Sequence, residues 1–148
     1  MKTWKRYWKI VTMCFFIINS CGCASIVEVT KEIYGTSIKK LELSRKDAAV
    51  KNINYDYFSC YTKVSDILKN TGVYIYLQDV KKHLIAFYLS EENTTPVGIF
   101  FVETDKDNTI IEVSSPSSYF RDMIAGKIFG PLEKQSSVDK DLKEISSE

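Results

Sequence analysis

The chain has no recognisable catalytic motif and no apolar run long enough to span a membrane. It contains one histidine, His83, among 148 residues. No nucleophile motif or paired metal-ligand motif accompanies His83, which excludes a histidine-based triad or zinc site and leaves it as a solvated turn residue. The longest apolar run, residues 10–18, is about half the length of a membrane-spanning helix. We therefore expect no enzyme activity, no metal and no cofactor.

What the chain does have is an export signal at its N-terminus. Four basic residues flank the start of the apolar run, and Asn19-Ser20-Cys21-Gly22-Cys23 follows it. A basic start, a short apolar core and small residues before a cysteine are typical of a bacterial lipoprotein signal. Ile18-Asn19-Ser20 before Cys21 resembles the cleavage site of such proteins, so we expect a signal peptide over residues 1–20 and lipid on Cys21, with Cys23 as the alternative.

The choice between these cysteines decides the redox chemistry of the rest of the chain. If Cys21 carries the lipid, Cys23 and Cys60 are left as a pair that could form a disulfide in an oxidising compartment. If Cys23 carries it, Cys60 stands alone. A lone cysteine near a helix start is more often a small buried residue than a reactive thiol, so we interpret Cys60 as structural.

Charge and sorting signals indicate where the protein is held. Four of the 20 basic residues precede Cys21 and none of the 19 acidic ones does, which leaves a net charge of −3 after the signal. Nucleic-acid binding, which needs clustered Lys and Arg, is therefore excluded. Several acyl chains give a lasting membrane anchor. In some bacteria an aspartate directly after the lipidated cysteine retains the protein in the inner membrane. No aspartate follows either cysteine here, a pattern that resembles that of outer-membrane lipoproteins. We therefore expect a lipid-anchored envelope protein that faces the periplasm from the outer membrane.

The body of the chain, residues 50–132, predicts a single α+β domain. Its pattern indicates a strand over residues 50–55 and a helix that begins at the N-cap Asp56 and ends at Gly72. Four strands follow over residues 73–78, 84–90, 96–104 and 109–114, joined by short polar turns. A last helix begins at Ser115-Pro116 and is stopped or kinked at Gly130-Pro131. The order βαββββα predicts one antiparallel sheet with two helices on one face.

The two flanking segments carry weaker patterns. Residues 21–49 predict a tether with a short helix near its end. Residues 133–148 are rich in Ser, Lys, Glu and Asp and predict a mostly disordered tail. A partner-binding helix in this tail is the alternative.

Both faces of the predicted sheet are apolar, which is unusual for an antiparallel sheet with helices on one side. In the first of the four strands, Val73, Ile75 and Leu77 alternate with Tyr74 and Tyr76. If the helices cover the aliphatic face, the other face carries a set that we call the tyrosine face: Tyr74, Tyr76, Tyr88, Phe100 and Val102. Three explanations are open: residues 38–49 fold across this face, a second copy or an envelope protein binds it, or it forms a groove for a lipid-like, glycan or other small ligand.

Three stretches resemble an uncharacterised family of small bacterial lipoproteins. They are Asn54-Tyr55-Asp56-Tyr57, Thr95-Pro96-Val97-Gly98-Ile99-Phe100-Phe101 and Ile111-Glu112-Val113-Ser114-Ser115-Pro116. The element order is also similar to the helix-grip domains of the lipoprotein C subunit of the outer-membrane β-barrel assembly machinery. These resemblances imply a membrane-anchored, non-enzymatic accessory or scaffold protein in an envelope complex. The alternative is a periplasmic ligand-binding module that uses Tyr74, Tyr76, Tyr88 and Phe100.

Overall fold

A computed structural model describes the backbone of residues 35–145 and the side chains of residues 35–139. The signal, both candidate lipid cysteines and the tether up to residue 34 lie outside the described residues. Within the described part, no helix is both long enough and apolar enough to cross a membrane.

The described residues form a five-stranded antiparallel sheet and three helices. A first helix, α1, covers residues 35–44 and leads into a 3-10 turn, Arg45–Asp47. The elements after it are β1 (Ala49–Ile53), α2 (Tyr57–Thr71), β2 (Tyr74–Asp79), β3 (Leu84–Tyr88), β4 (Pro96–Asp105), β5 (Asn108–Ser114) and α3 (Ser118–Ile145). The strand order is β1-β5-β4-β3-β2, so β2 to β5 form the predicted meander and β1 pairs with β5. The predicted α+β fold is confirmed.

Local signals account for α2. The Asp56 carboxylate accepts a hydrogen bond of 3.0 Å from the Ser59 amide at the start of the helix, which satisfies a backbone donor and lowers the pKa of that carboxyl. Gly72 ends the helix at φ 74°, a left-handed conformation that glycine adopts without steric penalty. Tyr61, Val64 and Leu68 follow one another at intervals of three and four residues, so they lie on one side of α2, and all three are buried.

The main core lies between α2, α3 and one face of the sheet. Its fully buried members include Val64 of α2, Phe87 of β3, Ile99 of β4 and Ile128 of α3. Both long helices therefore cover the same face, as predicted, and their apolar stripes supply one side of this core.

The register of β2 differs from the predicted alternation. Ile75 pairs with Phe87 and Leu77 pairs with Ala86, so that a bulge lies at Tyr76. Tyr76 and Leu77 both pack on the side of the sheet away from α2 and α3. The prediction that Leu77 shares a face with Val73 and Ile75 is therefore wrong, because one extra residue in the strand reverses the facing of those after it.

The last helix also differs from its predicted bounds. It begins at Ser118 rather than at Ser115-Pro116. The Ser115 hydroxyl instead donates to the carbonyl oxygen of Pro96 at 3.0 Å and accepts from the amide of Ser117, which precedes the helix, at 3.2 Å. It continues through Pro131 to Ile145. The predicted stop or disordered tail is thus wrong for residues 133–145, which are helical. Polar contacts with β1 and α2 support residues 133–139; residues 146–148 lie outside the described part.

Candidate functional site

The tyrosine face is covered by α1. Leu41 of α1 is fully buried in a second apolar cluster with Leu84, Ala86 and Phe100, and Ile38 packs against it. Gly98 of β4 permits this approach, since a Cβ atom there would lie 2.9 Å from Leu41 Cδ1. The first of the three explanations is confirmed for the centre of the face: the segment before β1 folds across it and forms ordinary core.

Polar contacts fix α1 in this position. The buried Ser114 hydroxyl donates to the carbonyl oxygen of Leu41 at 2.7 Å. Just after α1, Arg45 Nε donates to Glu112 at 2.7 Å, and the guanidinium carbon lies 4.4 Å from the centre of the Phe100 ring. The compact unit accordingly begins at Thr36, so the domain starts before the predicted boundary at residue 50 and the predicted short helix is one of its core elements.

The predicted contact residues fall into a covered group and an exposed rim. Phe100 is buried under α1, and Tyr76 is half-buried with its ring centre 4.5 Å from that of Tyr88. The hydroxyls of Tyr88 and Ser37 lie 3.2 Å apart. Tyr74 is 46% exposed and stacks against Tyr88 at 6.5 Å. The structure thus brings the three tyrosines into one row, but only the rim at Tyr74 faces outward.

An open groove lies beside α1. Its volume is about 900 Å³, and one wall is the outer side of α1 while the other is the loop between β3 and β4. Leu43 of α1 is 67% exposed at this groove. We call it the α1 groove; its lining comprises Lys40, Leu43, Ser44, Ser90, Glu92, Asn93, Thr94, Thr95, Pro96 and Pro116. The lining has hydroxyls, an amide, one cation and one carboxylate beside apolar carbons, the mixture of polar and apolar groups that is typical of binding sites.

Hydrogen bonds order the loop wall of the α1 groove. The Asn93 amide donates to the Ser90 hydroxyl at 3.0 Å, and the Thr95 amide donates to the Asn93 side-chain oxygen at 3.2 Å. The Ser115 hydroxyl binds the Pro96 carbonyl at the end of this loop. Because these hydrogen bonds already order the loop, it loses little conformational entropy when a partner binds. The sequence predicted only a turn for this loop and gave no sign of the groove. For the packing of α1 against the sheet there was one sign in the sequence, Gly98, because a glycine inside a strand often marks the close approach of another segment.

The remaining candidate residues have structural surroundings. Cys60 is fully buried in the main core, and this burial raises the pKa of its thiol to about 12. This agrees with the structural interpretation of Cys60, the one cysteine within the described residues; Cys23 lies outside them. His83 ends the turn between β2 and β3 at φ 53°. Its position in a turn agrees with the prediction. Its ring, however, is half-buried and stacks on Tyr57 with 4.2 Å between ring centres, so it is less exposed to solvent than predicted.

Residues 35–139 contain no group of His, Cys, Asp or Glu side chains able to hold a metal ion. No protein-family model matches the chain, and no curated protein matches it significantly.

Proposed function

We propose that this protein is a lipid-anchored accessory protein of the bacterial cell envelope, with a small non-enzymatic binding domain on the periplasmic side of the outer membrane. The sequence pattern around Cys21 and Cys23 supports the anchor. The observation that carries the binding role is the α1 groove, whose exposed Leu43 lies beside an ordered polar loop. The tyrosine face is not the proposed site, because Leu41 and Ile38 already pack against its centre.

The anchor limits where the α1 groove can act. The 15 residues from Cys21 to Gly35 span at most about 50 Å when fully extended. Since α1 follows directly and is fixed to the sheet through Leu41 and Ser114, its groove is held within a short distance of the membrane. The expected partner is therefore itself an envelope component.

The lining of the α1 groove indicates the chemistry of that partner. Leu43, Pro96 and Pro116 offer apolar surface, while Asn93 and the neighbouring threonines offer hydrogen-bonding groups. An extended or looped polypeptide segment meets both needs, because its amides bond to the polar wall while an apolar side chain packs against Leu43. We propose a protein partner on this ground.

Site-specific crosslinking in intact cells tests the binding role. A photoreactive residue placed at Leu43 should give a discrete adduct with one envelope protein, identified by mass spectrometry. Val50 is the matched control, since it is also apolar and 56% exposed but lies on β1 and does not line the α1 groove. Equal adducts from both positions, or none from Leu43, would contradict a partner at the α1 groove.

Metabolic labelling with palmitate tests the anchor separately. Cys21→Ala should abolish the label and leave an uncleaved precursor, whereas Cys23→Ala should keep it. The reverse result would assign the lipid to Cys23. Absence of label from the unaltered protein would refute the lipoprotein proposal, whatever the crosslinking shows.

A further inference from the structure

The C-terminal part of α3 is held in a different way from the part before it. Ile124, Ile128 and Leu132 of α3 are buried in the main core. After Leu132, none of the side chains of residues 133–139 is buried, and the two that are half-buried are the polar Ser136 and Asp139. Burial of apolar surface therefore holds α3 as far as Leu132 and contributes little beyond it.

Polar contacts with β1 and α2 hold the segment after Leu132. Lys51 of β1 contacts Glu133 at 2.5 Å, and the Ser136 hydroxyl lies 3.4 Å from the carbonyl oxygen of Asn54. The strongest group of contacts converges on Asp139, which accepts from the Tyr55 hydroxyl at 2.6 Å and from Lys63 at 3.4 Å. Burial and the bond to Asp139 raise the pKa of the Tyr55 phenol, which keeps this donor protonated at neutral pH.

A weak point in the helix separates these two parts. Pro131 lies inside α3 and has no backbone N–H, so the hydrogen bond that would reach back to residue 127 is missing. Gly130 precedes it and adds backbone freedom at the same place. The helix can therefore bend here at a lower free-energy cost than elsewhere along α3.

Two cavities lie under the segment after this weak point. One of about 450 Å³ is lined by Tyr55, Asp56 and the turn between β4 and β5, together with Ser136 and Asp139. A smaller one of about 300 Å³ lies between β1 and residues Glu133, Ser136 and Ser137. Residues 133–139 form part of the wall of both, so any movement of this segment changes access to the end of β1.

We propose that residues 133–145 form a hinged strap, which bends at Gly130-Pro131 and separates from the end of β1 while the rest of the domain stays folded. The contacts of Asp139 with Tyr55 and Lys63 hold the strap closed. Exposed ion pairs and single hydrogen bonds are individually weak, so the closed state is reversible. Opening uncovers the Asn54 carbonyl and the Tyr55 hydroxyl and widens both cavities.

Hydrogen exchange of the full purified protein, followed by mass spectrometry, tests the strap. Amides of residues 134–145 should exchange at least about tenfold faster than those of residues 121–129, because only the former open without global unfolding. Tyr55→Phe removes one hydrogen bond and should raise exchange in the strap about fivefold more. Asp139→Asn should act in the same direction, as should raising the salt concentration from about 50 mM to about 1 M.

The matched control is Lys134→Gln, which removes a charge from the strap one residue after Glu133. Lys134 is exposed and forms no ion pair within residues 35–139, so this variant should leave exchange unchanged. Two outcomes would overturn the proposal. One is common exchange of the strap with residues 121–129, which makes α3 a single unit; the other is unprotected exchange in the unaltered protein with no effect of Tyr55→Phe, which means that the strap is never held closed.

Discussion

Replacing Leu41 with alanine tests whether α1 is part of the folded domain. Leu41 is fully buried between α1 and the sheet, against Leu84, Ala86 and Phe100. Truncation of a fully buried leucine loses its transfer free energy and leaves a cavity, so we expect the free energy of unfolding to fall by about 2–5 kcal/mol. That is a large share of the roughly 5–15 kcal/mol that stabilises a domain.

Leu43→Ala is the control for this substitution. It makes the same change in the same helix, two residues further on, but Leu43 is 67% exposed. We expect its effect on unfolding to stay within about 0.5 kcal/mol. The measurement is urea unfolding of the purified protein followed by circular dichroism, with the slope compared between variants to confirm that the same surface is exposed on unfolding.

Gly98→Ala extends the test to the contact itself. The added methyl carbon would lie 2.9 Å from Leu41 Cδ1 and 3.3 Å from a ring carbon of Phe100. Because Leu41 is fully buried and this distance is shorter than a van der Waals contact, we expect overpacking of about 1–3 kcal/mol. In the Leu41→Ala background that clash is absent, so the double variant should be at least about 1 kcal/mol more stable than the sum of the single effects predicts.

Two results would refute this reasoning. One is equal destabilisation by Leu41→Ala and Leu43→Ala; the other is a double variant whose loss of stability equals the sum of the losses caused by Leu41→Ala and Gly98→Ala alone. Either would mean that α1 does not pack over β4 as described. The tyrosine face would then be exposed, and a ligand or partner on it would again be the explanation to test.

Three further substitutions or modifications follow from single sites. Cys60 should resist alkylation at about pH 8 until the protein is unfolded, because burial raises its thiol pKa to about 12; rapid native labelling would contradict this, and labelling that needs reduction as well as unfolding would indicate a disulfide with Cys23. Asp56→Ala should lower stability by about 1 kcal/mol at neutral pH. Folding lowers the pKa of Asp56, so this contribution is present above the carboxyl's unfolded pKa and is lost as pH falls through the folded pKa. The melting temperatures of Asp56→Ala and of the unaltered protein should therefore converge in acid. Ser114→Ala should cost about 1–3 kcal/mol, since it leaves the buried Leu41 carbonyl without its donor; an unchanged melting temperature would argue against this buried bond.

Local patterns made much of the fold predictable. The helix from Tyr57 to Thr71 follows from the Asp56 cap, its apolar stripe and Gly72, all of which act within a few residues of one another. The four-stranded meander follows from runs of apolar and aromatic residues between short polar turns. In each case the sequence signals that predict the element lie within it or in the turn beside it.

Contacts between distant residues explain where the prediction was wrong. The bulge at Tyr76 depends on how β2 pairs with β3, and no local rule reveals it. The continuation of α3 past Pro131 is supported by Lys51, Tyr55 and Lys63, which lie far from it along the chain. A proline is a strong local stop signal, but contacts made elsewhere in the fold outweighed it here.

The sequence by itself predicted an export signal and determined the charge of residues 21–148 and the number and order of the main elements, because these depend on composition and on short-range spacing. Only the tertiary structure decided that α1 packs against the tyrosine face, that the α1 groove forms beside it, and that α3 ends in a strap held by Asp139. These features depend on which side chains meet across the sheet. Gly98 shows the difference. The sequence predicted that it lies in a strand, but not that Leu41 packs against it.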